Sequence, residues 1–241
     1  MLPPASSAKV GDLPTRRNLW HMRGTSFALA AIAAGGLALA ADPASAHPHV
    51  WVTSTSELVF AEGVLGAVRH VWTFDELFSS YAAQGLDTNG DGKLSREELK
   101  PLAQTNVESL ADYDFFTFLT VGKFDATFGA PTDYWLEQQG DRLVLHFTLP
   151  IDKPMLVGDR TATLQVYDPT YFVDFTFADA DPVKLAGAGS ACSLKIHRPG
   201  AIEGDVAAEL AQIPADVRDI PPDLYAVTSQ YANRATVHCA G

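Results

Sequence analysis

Two segments rich in β-branched and aromatic residues, VWVTSTSELVF from Val50 to Phe60 and VLGAVRHVWTF from Val64 to Phe74, lie on either side of Glu62-Gly63. Such residues fit a pleated, half-buried surface, and a short gap containing glycine closes a hairpin, so this stretch is expected to fold as antiparallel β-structure. From Asp75 to about Tyr113 the period changes: Leu77, Phe78 and Tyr81, then Leu99, Leu102, Val107 and Leu110 recur at helical spacings. Strand-like runs resume at Phe115 to Phe128, Thr132 to Gln139, Asp141 to Pro150, Thr161 to Asp168 and Tyr171 to Ala178, with Gln139-Gly140-Asp141 as a hairpin signal. Cys192 to His197 reads as a further strand, Asp205 to Ile213 as a short helix, and Ala226 to Ala235 as either a helix or an ordered tail. Six to eight short strands at these spacings predict one α+β domain, mainly antiparallel and β-sandwich-like, with a helical EF-hand-type insertion at about 75–113.

The amino terminus reads as an address. Arg16, Arg17 and Arg23 precede the uncharged apolar run Phe27 to Ala40, and Ala44-Ser45-Ala46 has the small-residue pattern of a signal-peptidase site, so residues 1–46 are expected to be a signal peptide and 47–241 the mature periplasmic domain. The run is shorter than the ~20 residues a membrane-spanning helix needs, and no second one follows, so no membrane insertion of the mature chain is expected. Met1 and Met22 both serve as candidate starts; Met22 to Ala46 is a complete signal peptide, whereas Arg16-Arg17 suits a twin-arginine signal. Export to an oxidising compartment makes the two cysteines, Cys192 and Cys239, natural disulfide partners; the competing reading is a pair of thiolates on a metal.

Of the 241 residues 47% are hydrophobic and 19% charged, which excludes a disordered or low-complexity chain, and the net charge is −12. Residues 47–241 alone carry thirteen basic and twenty-seven acidic side chains. Such a surface repels a phosphate backbone, so nucleic acid is not an expected partner; cations are.

Asp87-Thr88-Asn89-Gly90-Asp91-Gly92-Lys93-Leu94-Ser95-Arg96-Glu97-Glu98 fits the EF-hand calcium loop at each diagnostic place. Side-chain oxygens of Asp87, Asn89 and Asp91, the Lys93 carbonyl, Ser95 directly or through water, and bidentate Glu98 are the expected Ca²⁺ ligands, with Gly92 at the sharp turn and Leu94 directed to the core. Ser95 and Glu98 also form a capping-box pattern, while Pro101 is expected to kink or restart the helix that follows. A solitary loop in an exported protein suits a structural staple; the alternative is a surface turn that binds nothing.

Cleavage after Ala46 would leave His47-Pro48-His49-Val50-Trp51 as the new terminus. The free α-amine, His47 and His49 then converge as nitrogen donors for Zn²⁺, or for Ni²⁺, Co²⁺ or Cu²⁺. Pro48 has no amide proton, which blocks the square-planar amino-terminal copper or nickel site. Further ligands are sought among Asp168, Asp174 and His238, with His70, His146 and His197 as the other imidazoles downstream.

The HPHVW start, WTFDELFS (Trp72 to Ser79), the DTNGDG loop, YDPTYFVDF (Tyr167 to Phe175) and YANRATVHC (Tyr231 to Cys239) together resemble domain-of-unknown-function family 1007 across nearly all of the mature chain. Members similar to this chain often carry Asp where Thr53 stands. The resemblance implies a periplasmic component associated with an ABC-type transport system and with nickel, cobalt or zinc permeases. The leading expectation is therefore a periplasmic accessory protein that captures or delivers a divalent transition metal for an inner-membrane permease. A calcium-stabilised interaction module is the alternative, and a copper enzyme with an amino-terminal histidine brace the second. No G-x-S-x-G, H-E-x-x-H or Walker loop is present, so no catalytic residues are assigned.

Overall fold

A computed structural model describes residues 48–200, 202, 204–210, 212 and 222–239. The signal-peptide reading of residues 1–46 and the ligand His47 fall outside the described residues. The fold is mixed α+β, built mostly from antiparallel strands.

Strands β1 (Val50–Ala61) and β2 (Val64–Phe74) form the expected hairpin, with Val52 opposite Phe74 and Ala61 opposite Val64. Period-two alternation divides β1 cleanly: Val50, Val52 and Leu58 are buried, while Trp51 and Thr53 face outward. Helices α1 (Glu76–Ala82) and α2 (Arg96–Leu110) follow, then a 3₁₀ segment (Ala111–Phe116). Next come β3 (Thr117–Val121), β4 (Phe124–Asp125), β5 (Thr132–Gln139), β6 (Arg142–Leu156), β7 (Thr161–Val166), β8 (Val173–Phe177), β9 (Val183–Ala186) and β10 (Cys192–His197). Helices α3 (Gly204–Leu210) and α4 (Pro222–Thr228) precede the last strand, β11 (Asn233–Cys239).

One sheet has the order β5-β6-β2-β1-β8, with β9 also on β1; the other has the order β10-β11-β7-β3-β4. Both contribute to one hydrophobic core, in which Trp72, Phe147 and Phe177 are the largest fully buried side chains. Pairings with β1 depart from the antiparallel pattern: β8 runs parallel to its first half, Val50 opposite Val173, and β9 parallel to its second, Ser56 opposite Val183.

Several local expectations are refined. The single strand read from Phe115 to Phe128 is the end of the 3₁₀ segment followed by the β3–β4 hairpin, because Gly122 turns the chain at φ +62°. Asp114, Phe115 and Phe116 all lie near φ +50°, a left-handed conformation that costs each non-glycine residue about 1–2 kcal/mol and is held here by burial of both phenylalanines. Strand β6 continues past Pro150, which sits opposite Ala67 beside a register irregularity where a missing N–H is tolerated. Helix α2 neither stops nor restarts at Pro101: the proline is exposed in the second turn, so the carbonyl it leaves unpaired meets water. The helix-or-tail reading of Ala226 to Ala235 gives way to α4, a 3₁₀ turn and β11, whose Ala235 and Val237 are fully buried. Cys192 and Cys239 face each other across β10 and β11 and are joined by a disulfide, with Cα atoms 3.9 Å apart.

Buried between the sheets, His70 on β2 shows how they interlock. Thr117 on β3 donates its hydroxyl to the Phe115 carbonyl (2.7 Å) and so accepts from His70 Nε2 (3.2 Å), while Ser56 donates to His70 Nδ1 (3.0 Å). That pattern assigns the neutral Nε2–H form. Burial pushes the imidazole pKa from 6.5 down to about 3.

Candidate functional site

Four of the five sequence segments singled out above meet at the beginning of β1. His49 donates its backbone N–H to the Phe172 carbonyl (2.9 Å), and its ring lies 4.8 Å from the Phe172 ring. Trp51, opposite Asp174, donates its N–H to Asp75 Oδ2 (2.9 Å) and accepts the Asp75 N–H at its carbonyl (2.9 Å). The other carboxylate oxygen of Asp75 caps α1 by accepting the Phe78 N–H (2.9 Å). One aspartate thus ties the hairpin to the helical insertion, and the pattern of Asp followed by a helical apolar run marks it as a cap in the sequence.

Asn233 makes the fourth connection. Its carboxamide donates to the Phe175 carbonyl and accepts from the Phe177 N–H (3.3 Å), completing the open edge of β8 as a neighbouring strand would. Nothing in the local sequence announces this role, which exists only once β11 and β8 are neighbours. Asn233→Ala removes both bonds and leaves two backbone groups unpaired in the interior, so we expect a loss of about 2 kcal/mol in unfolding free energy. Urea titration of the variant checks this; a loss within the error of the wild-type value contradicts it.

The loop between β7 and β8 is organised by Asp168. Its Oδ1 accepts from the Thr170 N–H and hydroxyl (2.8 Å each) and its Oδ2 from the Val173 N–H (3.0 Å). Burial raises the pKa of this carboxyl in spite of those three donors and a fourth, the Phe172 N–H. Asp174 is raised too, again by burial, with the Tyr171 hydroxyl working the other way. Both carboxyls line a cavity of about 310 Å³ shared with Tyr171, Arg198, Tyr231 and Asn233. By register and alternation His49, Trp51 and Asp174 belong to one face of the β1–β8 pair, and Thr53 opposite Thr176 extends it.

Not every sequence candidate comes to this corner. His238 lies on β11 opposite Ser193 and Thr161, with its Nδ1 3.1 Å from the Thr161 hydroxyl. His197 is at the end of β10 opposite Arg234, and His146 stacks on Trp135 at 4.4 Å while meeting Glu137 at 3.1 Å. Among the described residues no group of three His, Cys, Asp or Glu side chains is placed to hold a metal ion, and no helix is long and apolar enough to cross a membrane. His49 and Asp174 are an incomplete donor set that fits a metal only if residues preceding Pro48 complete it, since backbone and hydroxyl donors already occupy Asp168.

The loop from Asp87 to Glu98 lies between α1 and α2. Gly92 adopts φ +77° and donates its N–H to Asp87 Oδ2 (2.9 Å); Gly90 and Asp91 donate theirs to Asp87 Oδ1 (2.8 and 3.2 Å). The Asn89 side chain accepts the Asp91 N–H (2.8 Å), and Asp91 accepts that of Lys93 (2.8 Å). Glu98 reaches back across the loop, accepting from Thr88 at Oε1 and from Ser95 at Oε2, the latter completing the capping box. The donors from Ser95, then Thr88, hold the Glu98 pKa at about 2, so it stays ionised. The oxygen types are those of a Ca²⁺ loop, but Asp87, Asp91 and Glu98 are not gathered to hold an ion here: their carboxylates face N–H and O–H groups that a cation would displace. The half-buried Leu94 packs toward the core, its N–H donating to Gln138 Oε1 on β5 (2.9 Å), and Arg96 lies 4.6 Å over the Trp135 ring. The loop is thereby docked on the β5–β6 hairpin, a contact absent from any local sequence signal.

Over 164 residues the chain is 25% identical to an uncharacterized protein of Haemophilus influenzae, covering 66% of this chain and 76% of that protein. Over 99 residues it is 31% identical to the uncharacterized 15.5 kDa protein in the trpE 3' region of Spirochaeta aurantia, covering 41% of this chain and 70% of that protein. A family described as "Protein of unknown function (DUF1007)" matches residues 32–239, and the chain belongs to that family.

Proposed function

We propose that this chain is an exported periplasmic protein that captures a divalent transition metal, zinc or else nickel or cobalt, at the start of β1 and passes it to an inner-membrane permease. The observation that supports this reading is the parallel pairing of β1 with β8. It brings His49 to the strand bearing Asp174, beside the loop bearing Asp168, although about 120 residues separate them in sequence. The disulfide is consistent with export. The mature amino terminus, beginning at His47, supplies the missing nitrogen donors, and the acidic surface raises the local cation concentration. Zinc calorimetry on protein beginning at His47 tests the reading. His49→Ala is expected to abolish a one-to-one site and Asp174→Asn to weaken it at least tenfold, while His238→Ala binds as the wild type. Identical zinc binding in a His47→Ala/His49→Ala double variant overturns it.

In the same proposal the loop from Asp87 to Glu98 holds Ca²⁺ as a staple between α1 and α2. Extracellular loops of this type bind at roughly 10⁻⁴–10⁻³ M, so 10 mM calcium should add about 1.4–2.7 kcal/mol of stability by mass action. A calcium-dependent rise in melting temperature that disappears in Glu98→Gln is the expected result. The absence of any rise at 10 mM contradicts the staple.

An interaction module is the second reading, favoured by Leu77 and Tyr81, which are 76% and 73% exposed one turn apart on α1. A melting temperature that responds to calcium and not to zinc supports it over metal capture.

A further inference from the structure

Beneath the β1–β8 corner lies a second cavity, of about 440 Å³, between the core face of the first sheet, the end of α2 and the Asp168 loop. Its volume is within the ~300–1,000 Å³ range of small-molecule sites. The wall is dominated by aromatic rings, among them Trp72, Phe74, Tyr113, Phe116 and Phe175. Several are fixed by one another: Trp72 and Phe175 meet edge-on with centroids 4.9 Å apart, and Phe116 and Phe175 lie at 5.4 Å. Such a box of fixed faces and edges favours a flat, polarisable occupant.

Trp72 adds a chemical demand. It is 1% exposed, and its indole N–H has no acceptor among the described residues. A buried donor without a partner has lost its hydration and gained nothing in return. The one carboxyl that the described residues bring to the wall, Asp168, is already covered by donors from Thr170 and Val173. Among the described residues no lysine or arginine contributes to the wall, so none of them calls for a charged ligand. At the rim Asn106 and the exposed Ser109 of α2 give access from solvent.

We propose that this cavity binds an uncharged, largely aromatic small molecule presenting one hydrogen-bond acceptor, such as a carbonyl, to the Trp72 N–H. This goes beyond metal capture and requires no metal. Trp51→Phe/Trp135→Phe in protein beginning at His47 leaves Trp72 as the only tryptophan, and chelator-treated protein of this kind is titrated with 2-acetylnaphthalene and with 2-ethylnaphthalene. Saturable quenching of Trp72 fluorescence by the ketone is expected, with at least fivefold preference over the more apolar hydrocarbon. Adding Ser109→Phe at the exposed rim obstructs the entrance without disturbing the core and is expected to weaken ketone binding at least tenfold. Absence of saturable quenching, equal affinity for the two naphthalenes, or unchanged binding with Ser109→Phe each overturns the proposal. Because metal is stripped throughout, these results stand apart from those of the zinc titration.

Discussion

Replacing both Cys192 and Cys239 by serine is expected to lower the unfolding free energy by roughly 4 kcal/mol, the chain-entropy value for a ring of this length. The bond closes a ring across a sequence separation of 47, which includes α3, α4 and the approach to β11. In the native sheet the two cysteines are directly opposite each other, and in the chain-entropy account the cross-link acts mainly on the unfolded chain. Strand β11 is not a peripheral tail but lies between β10 and β7, and its Asn233 completes the edge of β8. Loosening it therefore weakens the β10 edge, the second sheet and the first sheet's β8 together. Urea unfolding of the double-serine protein, or of the wild type under a reductant, provides the check. A loss below about 1 kcal/mol means that the strand pairing alone confines this segment.

The second large effect is a stability that falls with acid because of one imidazole. His70 is neutral in the fold, with a pKa of about 3 against 6.5 in an unfolded chain. Between those values the unfolded state binds the extra proton, so stability is full above pH 6.5 and declines as the pH drops toward 3. The slope approaches about 1.4 kcal/mol per pH unit, and acidification from pH 7.5 to 4.5 should cost roughly 3 kcal/mol from this group alone. Asp168 and Asp174, whose pKa values are raised by burial, contribute with the opposite sign, since the fold takes up their protons before the unfolded chain does. The informative comparison is therefore with His70→Gln, which keeps the two carboxyls and cannot charge. Its baseline stability is lower, because Ser56 and Thr117 meet a different shape, but the extra acid-dependent loss should vanish. Parallel pH slopes in the two proteins would falsify the assignment of a neutral, desolvated His70.

What could be read from the chain, and what could not, divides along the distance over which the physics acts. The β1–β2 hairpin, the Gly92 turn, the Ser95–Glu98 capping box and the strand starting at Cys192 are each set by residues within one turn or one strand. Their composition carried them. Asp168 and Asp174 stand out in the sequence as carboxylates, but nothing local indicates that Thr170, Phe172 and Val173 all donate to the first of them. Parallel pairing of β1 with β8 leaves no local trace, because its register is set by packing between segments about 120 residues apart. The same holds for β11: NRATVHC is short and polar at alternate positions, and only the burial of Ala235 and Val237 between two neighbours makes it a central strand. Pro101 misled in the opposite direction, since the cost of a proline depends on whether the orphaned carbonyl is buried, and here the site is exposed. His238 and His49 were equivalent as imidazoles in a list; the topology separates them, one on β11 beside Thr161 and the other at the head of β1 beside Phe172.

The central claim is that the head of β1 is a metal site built from the mature amino terminus together with β8. Anomalous diffraction at the zinc edge, from crystals of the protein beginning at His47 soaked in stoichiometric zinc, tests it most directly. One dominant peak is expected within ~2.0–2.2 Å of a His49 nitrogen, with a carboxylate oxygen of Asp174 at similar range. A peak beside His238, or none near His49, contradicts it.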